Sequence, residues 1–401
     1  MRKISQSLLI NSLGLPRFST IEQFSEITGL STRLLFCLSN LTEKYYRNKK
    51  IPKRNGDMRE IFIPSYTLRI VQKWILKNIL NKIVPSNQSM AFRRGSSFGN
   101  KQNAAYHAYT LYGLSIDLKD FFPSISANKV YNIFSSLGYN EFAATILTKL
   151  CTLDSKLPQG SPCSPAISNL VCITLDNRLA GLCQKRGIIY TRYADDMYFS
   201  CDDKTLLLRY YYAFKQIIEN EGFVINDRKT HFNTPSNRKR ITGVTIVQHH
   251  LDEKFELKAP KEMKRKIRAE IFMCLMSGDY KNKGKILGEI GYVSFIEKDN
   301  NFNYISSIKQ YITTTAEKII YFPELVDAYN NNLFFDDLEE IESALIDPKD
   351  EEELYYYGDM YNSRKIYLNK RNLSDVCTYK DWPQVITSQN NSSTDNTDLP
   401  F

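Results

Sequence analysis

The chain has 401 residues, 42% hydrophobic and 24% charged, enough for two or three domains or one assembly of subdomains in an ordinary water-soluble protein. No apolar run reaches the roughly 18 residues that crossing a bilayer takes. Asn11 and Ser12 interrupt the short apolar patch near the start, which argues against a signal peptide. Eight scattered cysteines without a CxxC pair, and only four histidines, argue against structural zinc and for free thiols in a reducing cytoplasm.

The charge is unevenly spread. The net is +9, but residues 321–401 hold 17 acidic and 6 basic side chains, a net of −11. Residues 1–320 therefore carry 47 basic against 27 acidic, a net of +20. A body that basic suits a polyanionic partner, most often nucleic acid, although a merely soluble basic enzyme has the same balance.

In chain order, residues 1–50 read as helical, from the spacing of apolar residues in IEQFSEITGL and TRLLFCLSNL. Asn55-Gly56 between two short alternating runs predicts a β-hairpin. An amphipathic helix ending at Pro85 follows, with Leu68, Val71, Ile75 and Ile79 on its apolar face and Arg69, Gln72 and Lys73 away from most of it. A basic loop around FRRGSS leads into a helix, and YGLSIDLKDFFPSI is a strand running into a loop. Two helices, a Gly/Pro-rich loop feeding one long helix, and the strand–turn–strand IIYTRYADDMYFSCDD come next. The helix LLLRYYYAFKQIIENEGF precedes a strand, VINDRKTHF, with a polar end. KRITGVTIVQ and KFELKA pair as a second hairpin, and a basic helical segment runs from about residue 261 to 320. The last dozen or so residues have a disordered composition.

This order predicts an α+β fold, an antiparallel sheet backed by helices. At the hairpin tip stand Asp195 and Asp196. Such a pair is either a surface turn or part of a metal site that needs a third carboxylate. Asp117 ends the apolar strand GLSI, and if that strand lies beside the hairpin the three acids converge. Clustered carboxylates repel unless divalent cations neutralise them. Two Mg²⁺ ions about 3.5–4 Å apart would activate an attacking hydroxyl and stabilise a leaving pyrophosphate.

Three ordered motifs now resemble those of reverse transcriptases: Asp117-Leu-Lys-Asp-Phe-Phe122, Gln159-Gly-Ser-Pro-Cys-Ser-Pro165 and Tyr193-Ala-Asp-Asp196. The resemblance implies a right-hand polymerase fold. It would place N-terminal helices and fingers in 1–110, a palm in 111–248, a helical thumb in 249–320, an acidic extension in 321–385 and a tail in 386–401. It also implies that Asp117, Asp195 and Asp196 hold Mg²⁺, with Mn²⁺ as a substitute. Phe122 matches the bulky position that blocks a ribonucleotide 2′-OH, while Phe121 reads as core. Gln159 and Gly160 match the loop touching incoming nucleotide and template. Lys229 matches a lysine near the triphosphate, and Arg59 an arginine that grips it.

Within that family the chain is similar to retron enzymes. Asn103-Ala-Ala-Tyr-His107 matches the NAxxH motif, and Thr242-Gly243 matches VTG with Ile241 in place of valine. Asn103 and His107 would share a helix face and either contact RNA or hydrogen-bond each other beneath a loop. The resemblance implies a cognate noncoding RNA, priming from a guanosine 2′-OH, branched RNA–DNA (msDNA) as product, and antiphage defence with an effector protein. Lys261, Lys264, Arg265, Lys266 and Arg268 would contact RNA from the thumb. The acidic extension would dock an effector, lie against the chain's own basic surface, or merely solubilise it. Group II intron enzymes and other defence-linked reverse transcriptases are the rivals, and a catalytically dead RNA-binding scaffold is the most distant one.

Overall fold

In the computed structural model, residues 6–52, 56–95, 97–249, 254–300, 303–319 and 337–341 are described. The chain opens with α1 (Gln6–Ser12), α2 (Ile21–Thr28) and α3 (Thr32–Asn40). Hydroxyls start the second and third: Thr20 accepts from the Gln23 amide and Ser31 from that of Leu34, satisfying amides that a helix start leaves open. The expected hairpin forms from β1 (Tyr46–Pro52) and β2 (Met58–Pro64), paired antiparallel from Tyr46–Pro64 to Pro52–Met58. Most of its residues are exposed, so it projects as a ribbon.

Helix α4 (Tyr66–Asn78) buries Leu68, Val71 and Ile75, and Ile79 just beyond it is buried as well. Gln72 was expected away from most of this face but is fully buried. Its Nε2 donates to the Tyr46 hydroxyl (2.7 Å) and the Leu150 carbonyl (2.8 Å), tying the ribbon's base to the core.

After α5 (Gly99–Tyr106), the central sheet assembles from β3 (Tyr112–Asp117), β4 (Ile189–Tyr193), β5 (Asp196–Cys201) and β6 (His231–Asn233). The strand order is β4-β5-β3-β6 and every pairing is antiparallel. Helices α6 (Ala127–Ser136), α7 (Glu141–Cys151), α8 (Ser164–Val171), α9 (Ile173–Gln184) and α10 (Lys204–Asn220) accompany this sheet. The single long helix expected after the Gly/Pro loop is instead α8 and α9, separated at Cys172. The strand expected over VINDRKTHF is also shorter. Only His231–Asn233 pairs with β3, because the chain turns at Asn226, whose carbonyl accepts from the amides of Lys229 and Thr230.

One apolar core runs from Ile10 to Ile225, so the N-terminal helices and the sheet share it across residue 110. A second antiparallel sheet, β7 (Arg240–Ile241), β8 (Val244–His249) and β9 (Lys254–Lys258), leads into α11 (Lys261–Ser277), α12 (Lys283–Glu297) and α13 (Tyr304–Ile319). These helices have a core of their own, which includes Ile267, Ile271, Ile290 and Ile308. Leu338 and Ile341 from the acidic extension pack into it, and Asp337 pairs with Lys283 at 2.5 Å. The extension therefore lies against the chain's own helices at 337–341. The remainder of 320–401 is outside the described residues.

Candidate active site

Strand pairing brings the three acids together. In the β3–β5 register Asp117 stands opposite Asp196, and the Leu118 amide donates to the Asp195 carbonyl at 3.0 Å. Asp195 lies in the two-residue turn between β4 and β5, where Ala194 takes a left-handed φ of 57°. Asp117 is buried and doubly held: its Oδ1 accepts from Asn226 Nδ2 and its Oδ2 from Lys229 Nζ, both at 2.9 Å.

The electrostatics follow from the crowding. Burial raises the Asp195 carboxyl, with the Asp117 charge adding to it and Lys229 and Arg59 opposing. Burial likewise pushes Asp196 up to about 6, reinforced by Asp195 and Asp117. Asp196 nevertheless keeps an exposed face, so solvent softens the effect. Lys229 is raised despite partial burial, because Asp117 accepts its hydrogen bond and the three acids surround it. Among the described residues no three His, Cys, Asp or Glu side chains form a ready-made cage. An oxygen-only, like-charged and partly open set fits a hard divalent cation that keeps water and substrate oxygens as its other ligands.

The other predicted nucleotide-site residues lie on the ribbon, on the Gln159–Gly160 loop and just after β3. Gln159 and Gly160 are latched to the ribbon: the Phe62 amide donates to the Gln159 carbonyl at 2.8 Å. Gly160 has φ 127°, and a Cβ there would lie 2.4 Å from the Phe62 carbonyl oxygen. Arg59, exposed on the same ribbon strand, is near enough for its charge to act on Asp195. Phe121 is buried and stacked on Phe223, whereas Phe122 is half-buried, with Phe92 6.3 Å away.

A family model described as reverse transcriptase (RNA-dependent DNA polymerase) matches residues 51–246. Retron Ec86 reverse transcriptase of Escherichia coli is 34% identical over 308 residues, 75% of this chain and 93% of that protein. The chain belongs to the retron reverse transcriptases. Retron Mx65 reverse transcriptase of Myxococcus xanthus is 31% identical, covering 71% of this chain and 70% of that one. A solved apo telomerase from Candida tropicalis matches at 10% identity with a TM-score of 0.43, covering 82% of this chain and 67% of that chain. The chain is thus an RNA-directed DNA polymerase with a right-hand fold, and its family implies a divalent metal, a noncoding RNA template and dNTP substrates.

In this retron reverse transcriptase Asn103 and His107 are 1% and 0% exposed, so direct RNA contact by either side chain is replaced by a structural role. Nor do they bond each other directly. Thr191 Oγ1 donates to Asn103 Oδ1 (2.6 Å) and lies 2.7 Å from His107 Nε2, while Nδ1 lies 2.6 Å from Ser200 Oγ. Because the Thr191 hydroxyl is spent on Asn103, it accepts from His107 Nε2–H, which leaves Nδ1 as an acceptor in a neutral ring. Burial, with the Lys239 charge, pushes the imidazole down to about 3. Thr242 and Gly243, at φ 45° and 85°, form the tight turn between β7 and β8, which requires two left-handed residues.

The basic helix α11 divides. Lys264 pairs with the buried Glu297, Lys266 with Glu289 and Glu270, and Arg268 Nη2 donates to Ser307 Oγ at 3.2 Å. Lys261 and Arg265 are exposed and have no ion-pair partner among the described residues. Sequence reasoning missed Asn226, whose place in the polar run INDRK beside Lys229 was its only signal. It also missed Arg192, Asp176 and Asn169.

Proposed function

We propose that this enzyme copies part of a cognate structured RNA into DNA, starting from a guanosine 2′-OH, and that the branched RNA–DNA product serves antiphage defence with an effector protein. The observation that carries the catalytic part is the register that sets Asp117 against Asp196, with Asp195 in the adjoining turn. Mg²⁺ held by these three acids would lower the pKa of the attacking hydroxyl and stabilise the leaving pyrophosphate. Asn226 and Lys229 hold Asp117 in place before substrate arrives. Lys229, with 62% of its side chain exposed, is free on its outer side to meet a triphosphate and to pass a proton to pyrophosphate. Arg59 offers a planar fork of donors to the same phosphates from the ribbon. Phe122 excludes a 2′-OH by volume, without offering it a hydrogen bond.

On the RNA side, Lys261 and Arg265 are the best-placed members of the basic helix, since the other three are engaged within the fold. We divide the chain into N-terminal helices and fingers to residue 110, a palm to 248, a thumb to 320 and an acidic extension to 385 that docks an effector or lies against the chain's own basic surface. Seven free described cysteines favour a reducing cytoplasm, and among the described residues no helix is long and apolar enough to cross a membrane. The priming chemistry is tested on the product formed from purified enzyme, cognate RNA and dNTPs. A DNA 5′ end released only by a 2′,5′-debranching nuclease is expected. A product joined through an ordinary 3′-OH would contradict the reading.

A further inference from the structure

Two residues before the acidic pair, Arg192 heads the fully buried side chains ranked by size. Its charge is met in two-point fashion by Asp176 of α9: Nε to Oδ1 and Nη2 to Oδ2, both 2.8 Å, with both side chains fully buried. The Tyr190 hydroxyl also donates to Asp176 Oδ1, at 2.9 Å. The remaining nitrogen, Nη1, faces the other way. It donates to the Ala194 carbonyl at 3.2 Å and to Asn169 Oδ1 at 3.3 Å. Asn169, on α8, is itself fixed: Ser89 Oγ donates to its Oδ1 at 2.8 Å, and its Nδ2 donates to the Ala91 carbonyl at 2.9 Å. The backbone is bracketed as well, Arg192 N donating to the Gln88 carbonyl and Met90 N to that of Arg192, both at 2.7 Å.

Backbone and side chain together, this one residue therefore joins the segment 88–91, two helices and the turn that carries Asp195. Ala194, the residue whose carbonyl is gripped, sits at φ 57°, where a side chain is disfavoured and glycine is at ease. A buried ion pair adds little stability over an apolar replacement, so its use here is better explained by geometry than by folding energy.

We propose that Arg192, aligned by Asp176 and Asn169, is a positioning residue that holds the Ala194 turn left-handed and so presents Asp195 and Asp196 to the metal. The inference rests on the proposed metal role of those acids. It assigns the clamp to metal affinity and turnover, not to RNA or nucleotide binding.

The test is R192K, which keeps the charge but cannot grip both Asp176 oxygens and the Ala194 carbonyl. Mn²⁺ affinity is read by electron paramagnetic resonance on the enzyme–RNA complex, with D195N/D196N as baseline, alongside kcat and dNTP KM. R192K should weaken Mn²⁺ binding about 10- to 100-fold and lower kcat, with dNTP KM and RNA affinity near wild type. Adding A194G should restore part of both losses, because glycine adopts the turn without being held, whereas a merely structural role gains nothing from it. If R192K does not fold, N169A, which removes one Nη1 partner and leaves the ion pair, must shift Mn²⁺ affinity in the same direction. Wild-type Mn²⁺ affinity and kcat in the folded variant overturn the clamp. Wild-type Mn²⁺ affinity in D195N/D196N would instead overturn the metal reading beneath it.

Discussion

His107 shows what burial does to one titratable group. Its ring is neutral in the folded enzyme because burial and Lys239 hold it down near 3, while an unfolded chain titrates at about 6.5. The unfolded state thus takes up a proton first as the pH falls. Stability is complete above about 6.5 and declines from there towards 3. Urea unfolding at pH 7.5 and pH 5 should show this loss, and H107Q should flatten it. The role proposed for Phe122 is exclusion of a 2′-OH by bulk. F122A should raise the kcat/KM for ribonucleotides relative to deoxynucleotides by about tenfold or more, since the discrimination comes from excluded volume. Steady-state incorporation assays on one template check it.

At the scale of elements, the latch between the Gln159–Gly160 loop and the ribbon makes a sharp demand. A methyl group at Gly160 would press on a backbone carbonyl 2.4 Å away, which no side-chain rotation relieves. G160A should cost about 1–3 kcal/mol and lower dNTP kcat/KM, measured by denaturation and incorporation assays. The helix α11 gives a contrasting pair of outcomes. K264A leaves the buried Glu297 without its ammonium and should destabilise the fold by about 1–3 kcal/mol. Removing the exposed Lys261 and Arg265 should spare stability and flatten the salt dependence of RNA binding by about one to two units of log–log slope.

These elements also show where the sequence was legible. Alternating runs around Asn55-Gly56 and around Tyr193–Asp196 encode their own hairpins, so both hairpins and the meeting of Asp117 with Asp196 were readable. Gln72 was not, because its burial depends on Tyr46 and Leu150, distant in the chain. The break at Cys172 and the turn at Asn226 carry no Gly or Pro to announce them. Asn103 and His107 were visible as a motif, but whether such a pair faces RNA or the interior is decided by Thr191 and Ser200, which belong to other strands. Arg192 carries no signal of burial until Asp176 is brought beside it.

Across the whole molecule, two of the three apolar cores among the described residues are large. The larger, from Ile10 to Ile225, unites ribbon, sheet and acidic turn into one catalytic body. The smaller is built by α11, α12 and α13 with Leu338 and Ile341 inserted. The extension at 337–341 therefore completes the core of α11, α12 and α13 even though its neighbourhood in the sequence is strongly acidic. The basic excess of residues 1–320 suits an enzyme that holds both template and product as polyanions.

DNA synthesis by this retron enzyme is proposed to depend on its three converging carboxylates. The most direct measurement is the nucleic acid that accompanies it when wild type and D195N/D196N are purified from cells with the cognate RNA gene. Wild type should carry a branched molecule sensitive to both ribonuclease and deoxyribonuclease, and the double variant RNA alone. Full-length DNA on the double variant, or RNA without DNA on the wild type, would contradict it.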